Sequence, residues 1–195
     1  MSDSQSKAIG TIRSEHRSLA AVIHNMRELL SLASLGKQPV DFRLFWSMVY
    51  YIDAFPDVQH HPKEDNWLFA RLKLRTREAD ALISQLETDH QEEAPALGQI
   101  RRYLGNLEAG VPGSMALLDQ ALSRYADFTW RHLRMEEQEL MPLAELHLLP
   151  SDWDDIADAF ASNQDPLAQE QAETFLEHFR AIVNRTPAPL GFGGN

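Results

Sequence analysis

His60-His61-Pro62-Lys63-Glu64-Asp65-Asn66-Trp67-Leu68-Phe69 decides the fold of this chain, because His132-Leu133-Arg134-Met135-Glu136-Glu137-Gln138-Glu139-Leu140-Met141 repeats its pattern. Both stretches read His, three residues, Glu, a second acid, two residues, Leu, then a large apolar side chain. On a helix, positions four apart lie about 40° apart around the axis and about 6 Å along it. His60 with Glu64, and His132 with Glu136, can therefore each aim a nitrogen and an oxygen at one spot. The two copies start 72 residues apart, at 60 and 132, and a lone His precedes each: His16 in Glu15-His16 and His90 in Asp89-His90, 74 residues apart. The chain reads as two halves, each supplying His and then His-x-x-x-Glu, six candidate metal ligands in all.

The rest of the sequence places these residues on helices. Apolar side chains at Ile9, Ile12, Leu19, Val22, Ile23, Met26, Leu29 and Leu30 keep a helical period over residues 6–35, which Gly36 and Pro39 end. Asp41 is a candidate cap for a second helix running to about Arg75, with a kink or broken turn expected at Pro56 and Pro62. A third helix is expected from about Arg77 to Leu107, then a loop at Gly110-Val111-Pro112-Gly113. The fourth spans roughly Ser114 to Leu146, with Pro142 bending or ending it. Beyond Pro150, a short capped helix to about Ala161 and an amphipathic helix over residues 169–183 precede a Pro/Gly tail. Strand signals are nearly absent. The pattern predicts an all-α, up-down-up-down four-helix bundle over residues 1–150, with a helical extension over 151–195 packed outside it.

Composition narrows the chemistry. With 195 residues and no Cys, thiolate and iron–sulfur sites are excluded, so a metal must be held by nitrogen and oxygen. The excess of 29 Asp+Glu over 18 Lys+Arg argues against nucleic acid as a partner. No run is long and apolar enough for a membrane span, and the N-terminus lacks a signal-peptide core, so a cytoplasmic protein is expected. Two divalent ions carry four positive charges, of which Glu64 and Glu136 offset two. The residual charge favours a bridging oxide or hydroxide. Imidazole and carboxylate together suit iron, and also manganese or zinc.

The order His16, His60-x-x-x-Glu64, His90, His132-x-x-x-Glu136 resembles the haemerythrin-like, or HHE cation-binding, family over about residues 8–147. The resemblance implies a four-helix bundle enclosing a non-haem di-iron centre that binds dioxygen, nitric oxide or peroxide. It assigns the metal to His16, His60, Glu64, His90, His132 and Glu136. Two positions depart from the oxygen-carrying members: the second third-helix His is Ala94, and the last helix offers Glu136 and Glu137 in place of an Asp. The Ala94 departure leaves one metal or two open, and it favours sensing, redox chemistry or iron handling over simple oxygen carriage.

Three readings of function follow. The first is a di-iron sensor or stress-response protein acting with a separate protein partner. The second is a redox enzyme or iron donor, and the third a metal-free helical interaction module. A homodimer is left open, with Trp153 covering either its own bundle or a neighbouring subunit. His61 with Asp65 is the rival pair to His60 with Glu64. Alignment to the second copy favours His60 and Glu64, which leaves His61 behind the ligands or facing solvent. His24, His147 and His178 are expected to be peripheral. Trp46, Tyr50, Tyr51, Trp67, Phe69, Phe128 and Trp130 are expected to pack the core and in part to wall the metal pocket.

Overall fold

A computed structural model describes residues 2–163 and residue 165, and within these every regular element is helical. The first rod is α1 (Asp3–Ser34), whose free N-terminus is capped by Ser2 accepting from the Gln5 N–H at 3.1 Å. It ends where Gly36 adopts φ 67°, and the Lys37 N–H reaches back to the Leu32 carbonyl at 3.0 Å. That left-handed closure satisfies carbonyls at the end of the helix and is open to glycine at little cost. Asp41 caps α2 (Phe42–Ala54) as expected, accepting from the Leu44 N–H.

The second rod does not break at its prolines; it widens. After α2 come a π-helical turn (Pro56–His60), a short α3 (His61–Lys63), a second π turn (Glu64–Phe69) and α4 (Ala70–Arg75). The His60 N–H bonds the Phe55 carbonyl five residues back, and the His61 N–H bonds that of Pro56. The third rod, α5 (Asp80–Glu108), runs unbroken through Pro95. The fourth is α6 (Ser114–Met135), a π turn (Glu136–Leu140) and α7 (Met141–His147), so Pro142 falls in the first turn of a continuing helix. Each half of the chain therefore has a π turn that begins at its motif Glu, as such turns often do at functional sites.

The rods form a ring in which α1 neighbours α2 and α6, and α5 neighbours α2 and α6. Two apolar layers fill it. One gathers Leu19, Val22, Ile23, Met26, Phe45, Met48, Ile52, Leu97, Ile100, Leu122 and Tyr125. The other gathers Ile9, Ile12, Phe69, Leu72, Ile83, Leu86, Leu140 and Met141, and is closed by Trp153, Ile156 and Phe160 of α8 (Pro150–Ala161). Each fully buried Leu, Ile or Phe in these layers contributes on the order of 1.5–3 kcal/mol. His16 lies on α1 between Ile12 and Leu19, and His90 on α5 between Leu86 and Leu97, so the histidines form a polar layer sandwiched between the two apolar ones. Trp153 is 2% exposed and covers its own bundle.

Two aromatic expectations are corrected. Tyr50 is 70% and Trp67 37% exposed, because each lies on the outward face of its rod. Arg71 covers the Trp67 ring. Among the described residues no helix is long and apolar enough to cross a membrane. The amphipathic helix expected over residues 169–183, His178 and the Pro/Gly tail lie outside the described residues.

Candidate metal centre

All six histidines and glutamates singled out from the sequence converge in the polar layer. The imidazoles form two facing pairs, with His16 Nε2 3.1 Å from His60 Nε2 and His90 Nε2 3.2 Å from His132 Nε2. The two carboxylates span the pairs. Glu64 Oε1 lies 3.5 and 3.1 Å from the Nε2 atoms of His16 and His60, and its Oε2 lies 3.5 Å from that of His90. Glu136 Oε2 lies 3.3 Å from His16 Nε2, and its Oε1 3.5 Å from His132 Nε2.

The other face of each ring meets an acid. His16 Nδ1 bonds Glu137 at 2.9 Å, His60 Nδ1 bonds Glu15 at 2.7 Å, and His90 Nδ1 bonds Asp65 at 2.9 Å. His132 Nδ1 faces Asp89 at 3.5 Å, and Arg131 and Gln85 also bind that carboxylate. An ionised carboxylate only accepts, so it places the ring proton on Nδ1 and leaves the Nε2 lone pair pointing inward. Ring nitrogens 3.1 and 3.2 Å apart can face one another only with a proton or a metal ion shared between them. All four oxygens of Glu64 and Glu136 are buried without a hydrogen-bond partner. A buried acceptor left in that state costs about 1–3 kcal/mol or more. Convergent nitrogens, orphaned oxygens and carboxylate-held rings together fit a metal centre.

The acids follow the internal repeat. The acid before the first His of each half, Glu15 or Asp89, faces the second His of the same half. The acid after each Glu, Asp65 or Glu137, serves the first His of the opposite half. In this arrangement Glu136 points inward and Glu137 outward, and Asp65 partners His90 instead of His61.

Of the two places expected for His61, the structure excludes the solvent-facing one. His61 is 5% exposed and does not face solvent. Its ring stacks on His90, with centroids 4.3 Å apart, and it joins Glu64, His90 and His132 in a group able to hold one ion, while His16, His60 and Glu64 form another. Ala94, four residues past His90, is exposed on the rim of a recess that His61 and His90 also line. An imidazole from the neighbouring rod thus lies in the same recess as Ala94. His24 is half-buried, and His147 ends α7 near Glu78; both are peripheral as expected.

The electrostatics favour positive charge in this layer. Burial works to lower His60, but the Glu64 charge and the Glu15 bond overcome it and raise the ring to about 9. Burial likewise opposes protonation of His16, yet the facing carboxylates of Glu136, Glu137 and Glu64 hold it well above the usual range. Glu64 is held well below the carboxylate range, since His60 and His16 outweigh its burial. Burial, with the nearby His90 and His60, keeps His61 neutral. Around the layer, Phe69 stacks on His90, Phe128 on His132, and Phe160 of α8 edges onto His60. Asn163, just past α8, donates to both oxygens of Glu15 at 3.0 Å.

The profile described as Hemerythrin HHE cation binding domain matches residues 7–144. The chain belongs to that family. Neither a curated protein nor a solved structure gave a match. As a hemerythrin-family chain it is a metal-binding helical protein, with buried His and Glu groups able to hold the metal.

Proposed function

We propose that this hemerythrin-family chain holds two metal ions, iron in the first place, and binds dioxygen, nitric oxide or peroxide in a sensing, stress-response or iron-handling role. What carries the reading is that Glu64 and Glu136 each spread their two oxygens over both imidazole pairs, while none of the four oxygens has a hydrogen-bond partner. His16 and His60 would hold one ion, His90 and His132 the other with His61 added, and the two carboxylates would be shared. Zinc or manganese would find the same donors acceptable. Bound there, two irons would supply exchangeable electrons and open coordination positions for a small ligand.

The chain's own residues do the rest. Glu137, Glu15 and Asp65 fix the tautomers and orientations of His16, His60 and His90, while Asp89 faces His132 Nδ1 at 3.5 Å. Phe69, Phe128 and Phe160 keep water away from the imidazoles. The unequal imidazole count leaves the His16/His60 side with fewer donors and more room for a small ligand.

The test loads the protein anaerobically with Fe(II) and exposes it separately to dioxygen, nitric oxide and peroxide. New charge-transfer bands with at least one of them support the reading, and none with any of the three refutes ligand binding. Repeated consumption of the ligand with an added reductant would move the chain to the redox-enzyme alternative.

A further inference from the structure

We propose that Asp57, His61 and Glu93 form a third cation-binding site, through which a divalent metal ion is loaded into the dinuclear centre; this rests on the reading of that centre given above. His61 Nδ1 lies 3.4 Å from Glu93 Oε2 and 3.7 Å from Asp57 Oδ1, and the three donors lie within 4.8 Å of one another. These separations are long for hydrogen bonds. They suit donors sharing an ion, since ligands at bond lengths near 2.1 Å around a tetrahedral metal stand about 3.4 Å apart. Tyr125 donates its hydroxyl hydrogen to Glu93 Oε1, which leaves Oε2 for the imidazole side.

Position makes this a way in. Asp57, His61, Pro62, Asp65, His90, Gln91 and Ala94 line a recess of about 270 Å³ that opens to solvent. Asp57 is 18% exposed at the outer end, and His61 is buried at the inner end, where it also faces Glu64, His90 and His132. His61 is the one residue shared by the inner group and the outer one.

The trio is absent from the other half of the repeat. With the 72- and 74-residue offsets, Asp57 corresponds to Thr129, His61 to Leu133 and Glu93 to Leu19. The bundle and its paired imidazoles are therefore built without such a cluster on that side. Among the described residues, neither Asp57 nor Glu93 has a Lys or Arg ion-pair partner, whereas Asp89, the other loosely placed acid, has Arg131.

The hand-over follows from imidazole chemistry. A neutral ring has one lone pair, so His61 binds an ion through Nδ1 or through its inner nitrogen, not both. With an ion on Asp57, Glu93 and Nδ1 the ring proton is on the inner nitrogen, and with an ion on the inner nitrogen it is on Nδ1. Occupation of the loading site thus alternates with His61 ligation of the inner ion.

The experiment mixes metal-free protein with Co(II) in a stopped-flow instrument and follows the visible bands of bound cobalt, comparing wild type with Asp57→Asn/Glu93→Gln. Loading at least tenfold slower in the variant, with the same final cobalt per chain, is expected. An unchanged rate overturns the loading site, and so does loss of bound cobalt altogether, which would make the two acids mere supports of the centre. In wild-type crystals soaked briefly in Mn(II), anomalous density beside Asp57 and Glu93 is expected before the inner positions fill. Inner positions that fill with no such density at any soak time overturn the proposal. Wild-type protein that takes up no metal refutes the dinuclear reading as well, a result distinct from an unchanged rate.

Discussion

Glu15→Gln isolates the ring of outer carboxylates from everything else in the site. Glu15 touches no inward-facing atom; it accepts from His60 Nδ1 at 2.7 Å, the shortest of the four carboxylate–imidazole contacts, and from Asn163 Nδ2 at 3.0 Å. Glutamine keeps the length, the packing and one acceptor for His60 Nδ1, and removes the charge and the second acceptor that Asn163 uses. Loss of such an outer partner weakens metal binding about 10–100-fold, which is about 1.4–2.8 kcal/mol. The fold should hold, because the apolar layers on either side are untouched. The assay is competition against a chromophoric chelator with Zn(II) or Co(II), alongside thermal melts with and without metal. The metal-induced rise in Tm should shrink while the metal-free Tm changes little. A metal affinity within twofold of wild type would refute the claim that Glu15 tunes the His60 ligand.

Two further substitutions probe the surroundings. Phe69 is fully buried and stacks on His90, so Phe69→Ala should destabilise the fold by about 3–5 kcal/mol in urea titrations; a loss under 1 kcal/mol would show that the ring is not packed as described. Asp152 ties α8 to the second rod by accepting from Arg75 Nε and Nη2 and from the Leu149 N–H, all at 2.8 Å, and the Arg75 bonds above all hold its carboxyl below the usual range. A depressed folded pKa contributes stability above the unfolded value of about 3.9 and loses it as pH falls through the folded one. Asp152→Asn should therefore lower the urea midpoint at pH 7 by a margin that closes below about pH 4. A margin as large at pH 3 as at pH 7 would count against this pairing.

The bundle and its six principal residues were readable because each rests on spacing. The apolar periods mark the rods, Asp41 and Gly36 mark their ends, and i, i+4 pairing sets His60 beside Glu64. What spacing could not show is which carbonyl each N–H chooses, so the π turns at Glu64 and Glu136 appeared only as suspect prolines and unbroken period. The place of His61 stayed open for a related reason. Adjacent helical residues point about 100° apart, so His60 and His61 cannot serve one ion, and the aligned copy favoured His60. In the fold that angle sends the two rings to opposite sides of Glu64, toward separate partners. The outer acids were visible as Glu15-His16, Asp89-His90 and a second acid after each Glu, but half of their pairings cross between halves of the chain. Asn163 has no sequence signal, since its contact with Glu15 depends on where α8 ends.

Metal content tests the central claim most directly: protein from iron-supplemented cells, measured beside Glu64→Ala and Glu136→Ala. Close to two irons per chain in the wild type, lost in both variants, is the expected result. A folded wild-type protein without metal, or one whose metal survives both substitutions, would contradict a dinuclear centre bridged by these two carboxylates.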